Sequence, residues 1–284
     1  MEVFSQRKGN PTRKFLIVAL SLAAVSTAWG KAPEYFPLKP GTKKLFWATI
    51  NQNTSLGGQS AMSATHYGRN TEEVVGQSKV YDKPAVLVRT TRQDSIAGRP
   101  IKEAEYSYKT ENYYQARPQG VFLLANFNLP ADTGRQKPDS TRYEPSLQIL
   151  KVPADSNTSW KIGTMKMQGI LVDLSAQVAG IEDVEVPAGS YKNCLKVKSR
   201  SSNISGSLQG SLKLTLNVTG GAFSSTSWYA PGVGLVKQEV STRFVMGSAN
   251  LPPGMTAELD FQQNLVLTKV ETAAREEKIE TKKK

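Results

Sequence analysis

One cysteine, Cys194, and one histidine, His66, are all that 284 residues supply of the two side chains most used for metal binding and nucleophilic catalysis. A lone cysteine cannot form a disulfide within the chain, so the fold rests on its core and its backbone pairing. A free cysteine of this kind is expected to be buried and inert, and an intermolecular disulfide is the alternative. Zinc sites need three or four Cys or His ligands, more than the chain holds. A Ser-His-Asp or Cys-His system would have to use His66. That residue lies in the polar stretch SATHYGRN, expected to be an exposed loop or strand edge. The glycines of GGQSAMSATHYG have the wrong spacing for a P-loop or dinucleotide fingerprint. Long hydrophobic runs are missing after residue 30, so no later segment suits a membrane-spanning helix. Helical periodicity is scarce between Lys43 and Val270.

The two ends stand apart in composition. Arg7, Lys8, Arg13 and Lys14 precede an uncharged apolar run over residues 15–29, and Ala28-Trp29-Gly30 puts small residues at the −3 and −1 positions of a cleavage site. This is the pattern of a secretory signal peptide over residues 1–30. The run is shorter than the roughly 18 residues of a membrane-spanning helix, which argues against the alternative of an uncleaved anchor. No cysteine is near enough for lipid attachment. The chain is expected to be secreted or periplasmic, with an all-β domain over 31–270. The charged tail, 271–284, ends in three lysines and is expected to be disordered or a frayed helix.

Net charge is +12. Residues 1–30 contribute four cations and Glu2, a net of +3, so about +9 remains on the rest. Such a surface suits an anionic envelope partner, and a merely solubilising basic surface is the alternative. No nucleic-acid partner and no cofactor are expected.

Between the ends, short runs alternate apolar and polar residues and are bounded by Gly, Pro, Asn, Asp and Ser. KKLFWATI opens the series. EEVVGQSKVYDKPAVLVRTTR is expected to turn at Asp82-Lys83-Pro84, and KEAEYSYKTENYYQAR at Thr110-Glu111-Asn112. GVFLLANFNL suits a strand buried on both faces. Residues 130–145, with three prolines, suit a long loop within one domain. In LKLTLNV, Leu212, Leu214, Leu216 and Val218 share one face. In WYAPGVGLVKQE, Pro231 suits position i+1 of a type II turn and Gly232 the positive φ at i+2. The expected fold is all-β: a single antiparallel, strongly twisted sheet forming a half-open barrel, with a β-sandwich as the alternative.

Three stretches in order, EYFPLKPGTKKLFW, VEVPAGSYKNCLKV and WYAPGVGLVKQEV, together resemble the TapB-like family of bacterial exported proteins. That resemblance implies an all-β half-open barrel, similar in outline to periplasmic lipoprotein carriers. It supplies no activity and no catalytic residues.

Carboxylates sit at alternate positions, Glu103 with Glu105 and Asp183 with Glu185. A glycosidase needs two across a cleft, but alternating acids on a strand are ordinarily its solvent face. The chain is therefore expected not to be an enzyme. The aromatics are the candidate ligand-lining residues: Tyr106, Tyr108, Trp228 and Tyr229, which suit either a cavity for a hydrophobic ligand or ordinary core packing. Two functions compete, a carrier holding an apolar ligand in a concave sheet and an envelope interaction protein using its basic surface.

Overall fold

The computed structural model describes residues 34–96, 106–130, 139–167, 169–209, 215–248 and 254–272. The expected leader over residues 1–30, Glu103, Glu105, Leu212, Leu214 and the tail beyond Thr272 lie outside these residues. Twelve strands make up the fold: β1 (Thr42–Leu56), β2 (Gln59–Val80), β3 (Lys83–Ile96), β4 (Tyr106–Arg117), β5 (Gly120–Pro130), β6 (Asp139–Lys151), β7 (Ser159–Met167), β8 (Ile170–Val186), β9 (Gly189–Gln209), β10 (Thr215–Ala230), β11 (Gly234–Gly247) and β12 (Ala257–Thr272).

All belong to one antiparallel sheet in the order β6-β5-β4-β3-β2-β1-β12-β11-β10-β9-β8-β7. Every strand except at one place pairs with its neighbours in sequence. The first and last strands pair with each other, from Thr42 opposite Thr272 to Leu56 opposite Ala257. The sheet thus nearly closes into a barrel, and its one unsealed seam lies mid-chain, between β6 and β7.

Side chains pin that seam where backbone does not. Trp160 Nε1 on β7 donates to the Gln148 carbonyl on β6 at 2.8 Å, and Lys151 Nζ donates to the Ser159 carbonyl at 3.3 Å. Gly163 lets Leu147 close in, since a Cβ at 163 would lie 2.7 Å from Leu147 Cδ2. The reason for the gap is local. Residues 152–158 join the two strands by a connection too long for a tight hairpin, and it holds Pro153, which has no N–H. Pro145 removes another donor from β6 itself.

The period-two pattern sets the core. On β1, Phe46, Ala48 and Ile50 are buried while the residues between them are not; on β8 the same holds for Ile170, Val172, Leu174, Ala176 and Val178. The main cluster joins Val121, Leu123, Leu147, Leu150, Trp160, Leu195, Val197, Tyr229 and Phe244 across the barrel interior and over the seam. A second cluster packs Phe46, Trp228, Val236 and Leu267 against Val184, Val186 and Cys194. There the tip of the β8–β9 hairpin reaches across, and Ala188 N donates to the Leu267 carbonyl at 3.1 Å. Cys194 is fully buried, and burial pushes its thiol up to about 11.

Several local expectations are corrected. The β2–β3 turn is Tyr81-Asp82, both at positive φ (48° and 62°), rather than Asp82-Lys83-Pro84; Pro84 already pairs with Lys79. No turn occurs at Thr110-Glu111-Asn112. β4 runs through it with Thr110 and Asn112 on one face, and the chain reverses at Pro118-Gln119 before Gly120. Polar residues on an inner strand face had imitated a turn. Of the loop expected over 130–145, Asp139–Pro145 belongs to β6, and 131–138 lie outside the described residues. His66 is neither loop nor edge: it sits within β2, paired to Ile50 on one side and Ile96 on the other. GVFLLANFNL is buried on both faces, with Val121 and Leu123 in the main cluster and Leu124 and Ala125 in a separate one.

The β10–β11 turn matches its sequence. Val233 N donates to the Ala230 carbonyl at 3.2 Å, and Gly232 has φ 72°. A Cβ at 232 would meet nothing within 4 Å. Gly232→Val is therefore expected to cost only the backbone strain, about 1 kcal/mol, with Gly232→Asn milder. Urea denaturation of the two variants checks this.

Candidate ligand-binding trough

On the sheet face turned away from the main core, register brings polar side chains into two straight rows. The first crosses eight strands: Lys161, Ser175, Arg200, Ser224, Ser241, Gln262, Asn51 and Thr65, each directly opposite the next. The second lies two residues along each strand: Ser159, Gln177, Lys198, Thr226, Glu239, Asn264, Thr49 and Tyr67. No bulge interrupts either row. Strands lie about 4.8 Å apart, so seven steps give a trough roughly 34 Å long. Two hollows of about 860 Å³ and 510 Å³ follow these rows and meet at Ser224, Ser225 and Thr226.

The charge is unevenly spread. Lys161, Lys198 and Arg200 occupy the β7–β9 end. Among the described residues neither Lys198 nor Arg200 has a carboxylate partner. The single carboxylate of the two rows, Glu239, is held by Lys237 Nζ at 2.8 Å. Beside the basic end, Thr164 donates to Asp173 at 2.5 Å. That bond, with help from Asn203 and the Lys161 charge and against desolvation, holds the Asp173 carboxyl below the usual range. At the opposite end Tyr67 stacks on Trp47, with ring centroids 6.0 Å apart and planes at 29°.

A third row continues the same face: Lys196, Trp228, Lys237, Val266, Trp47 and Arg69. Trp228 is nearly buried there. The Lys196 and Lys237 ammonium groups lie 5.2 and 4.7 Å from its ring centroid, and its Nε1 donates to Glu182. This bond first, and then Lys196, draws the Glu182 carboxyl down.

The four aromatics singled out in the sequence do not share a cavity. Trp228 belongs to the cation-flanked row just described. Tyr229 points the other way, into the main core; burial pushes its phenol up to about 12. Tyr108 lies opposite Arg92 on β3, whose guanidinium sits 5.5 Å from its ring centroid. The Tyr106 backbone pairs with Asp94 in β4; its side chain lies outside the described residues. Of the four, Tyr229 borders an internal cavity of about 180 Å³, walled also by Phe36, Leu38, Tyr114, Val88 and the Lys44–Glu72 ion pair. Asp183 is engaged by Lys192 at 2.7 Å. Among the described residues, no group of three or more His, Cys, Asp or Glu is placed to hold a metal ion.

The chain resembles the DUF3108-like family over residues 136–244. That stretch runs from the start of β6 into β11 and takes in the seam and the basic end of the trough. It does not confirm the TapB-like name. None of the curated proteins matches the chain. Among solved structures, a candidate lipoprotein from Parabacteroides distasonis is 14% identical, covering 84% of this chain and 98% of its own, with a TM-score of 0.32. A candidate exported protein with a YmcC-like fold from Bacteroides fragilis is also 14% identical, covering 82% and 97%, with a TM-score of 0.30. Lipovitellin, solved in a study of lipid–protein interactions, is 9% identical over 84% of this chain and 26% of its own, with a TM-score of 0.41.

The trough was not legible in the sequence. Its residues come from eight separate segments such as LSAQ, SRSS, SSTS and INQN, each an ordinary polar strand face. Only the register aligns them.

Proposed function

We propose that this is an exported, non-catalytic binding protein of the cell envelope, which holds an anionic polymer in the trough. One observation carries the reading: Lys161, Lys198 and Arg200 converge on a hollow of about 860 Å³ that no carboxylate lines. Lys198 and Arg200, which have no carboxylate partner among the described residues, favour a polyanion there, because the local field is only partly cancelled. The leader-like residues 1–30 support export.

The test is calorimetry of the chain from Lys31 onward with linear polyphosphate at low and high salt. Binding is expected at low salt and to fade as the Debye length shortens. Lys198→Glu combined with Arg200→Glu is expected to weaken it by roughly tenfold or more. A protein that binds no anionic polymer at low salt, or a double variant that binds as tightly as the native chain, would overturn the reading. A hydrophobic ligand is the second reading, favoured by the aromatic walls of the internal cavity of about 180 Å³. Its own check is a lipid mass co-purifying with the protein in native mass spectrometry.

A further inference from the structure

We infer that the polymer taken by the trough is an acidic glycan, lying extended across the strands with an anionic group at the β7–β9 end and a sugar ring at Tyr67 and Trp47. This rests on the proposed function and names the class of ligand for that same site.

The lining decides the class. Of the sixteen positions in the two rows, eight carry hydroxyls, four carry amides, and four carry charge. Hydroxyls and amides both donate and accept hydrogen bonds. Such a surface complements a ligand that itself does both along most of its length, as a polyhydroxylated chain does. Phosphate oxygens accept only, and a polyphosphate would be matched by donors of fixed charge throughout. Here the cations stop at β9, and the next five strands present Ser224, Thr226, Ser241, Gln262, Asn264, Asn51, Thr49 and Thr65 around the single Glu239. The anionic groups of the ligand are thus needed at one end and tolerated sparsely elsewhere.

Two other linear polymers fit poorly. Single-stranded nucleic acid binds where aromatic platforms recur along the groove for its bases, and Tyr67 is the one aromatic in the two rows, at their end. An extended peptide gains affinity by adding to a free sheet edge. From β8 to β2 the trough floor is interior sheet with its backbone engaged in ladders, and beside β7, the sheet edge, the seam is occupied by Trp160 and Lys151 bridging to β6 and β7 carbonyls. The aromatic end suits a sugar instead: Tyr67 and Trp47 are half-exposed, and their rings present an apolar face rimmed by polar atoms. Trough length also favours a chain over a headgroup, since roughly 34 Å of continuous polar floor exceeds any single monomer.

The experiment titrates the protein with a ladder of uronic-acid oligosaccharides, from disaccharide to decasaccharide, beside linear polyphosphate and a DNA oligonucleotide. Affinity for the oligosaccharides is expected to rise with length and then level off. Ser241→Val combined with Gln262→Leu removes hydrogen-bonding groups mid-trough without touching charge. This variant is expected to lose at least tenfold in glycan affinity and to keep polyphosphate affinity within twofold. Tyr67→Ala is a second, independent readout, expected to weaken the longest oligosaccharides and spare the disaccharide. The inference is overturned if polyphosphate or DNA binds as tightly as the best glycan, or if neither variant separates glycan from polyphosphate. If no polymer binds at all, the proposed function itself has failed, a different result from polyphosphate binding alone.

Discussion

Trp160→Ala is expected to lower stability by about 3 to 5 kcal/mol, and Trp160→Phe by about 1 kcal/mol. The difference between the two separates two jobs. Trp160 is 7% exposed and sits in the main cluster with Leu147, Leu150 and Ala176. Truncation to alanine leaves a void between β6 and β8 that the surrounding strands, fixed by their ladders, fill only in part. Its indole nitrogen also bonds the Gln148 carbonyl across the seam at 2.8 Å, and phenylalanine removes that bond while keeping most of the buried ring. Both values come from urea melts at constant m. A cost for Trp160→Ala near that of Trp160→Phe would mean that the ring does little beyond the hydrogen bond, and that the seam is held elsewhere.

The position of that seam follows from how the chain closes. β1 and β12 are the most distant strands in sequence, yet they pair along fifteen registered positions. β6 and β7 are neighbours in sequence, yet share no ladder among the described residues. Short connections such as Tyr81-Asp82 and Pro187-Ala188 pin register locally. The longer stretch 152–158 does not, and there the two halves of the barrel meet through side chains alone.

The sequence carried those features that depend on a few adjacent residues. Alternation marked strands such as β1 and β8, and Pro231-Gly232 marked a turn. A single antiparallel sheet was legible because helical periodicity was missing. What was not legible depends on register between distant segments. Thr110 and Asn112 imitate a turn by composition, and only their opposition to Thr90 and Val88 shows that they continue a strand. His66 looks like a loop residue until Ile50 is set beside it. Trp228 and Tyr229 are adjacent, and alternation alone sends them to opposite faces, so a cavity lined by both was not available. The trough is the extreme case, since no two neighbouring members of a row lie on the same strand.

Lys44→Met is expected to cost about 3 kcal/mol, and adding Glu72→Leu to restore most of it. Lys44 is 5% exposed. It stands opposite Glu72 in the β1–β2 register, and its ammonium contacts that carboxylate. The pair borders the internal cavity, and the Glu72 charge helps push up the phenols of Tyr114 and Tyr229, after burial. Methionine keeps the unbranched stem and deletes the charge, so Glu72 is left facing two buried phenols and an apolar wall with no cation. Its side chain is 26% exposed, which puts the expected cost at the low end for a broken buried pair. Removing both charges together deletes the desolvation cost as well, and the apolar walls of Phe36, Val74 and Val88 then receive a leucine. Equilibrium urea denaturation of the two single variants and the double closes the cycle. A double variant as unstable as Lys44→Met would mean that the charge left on Glu72 is not the source of the loss.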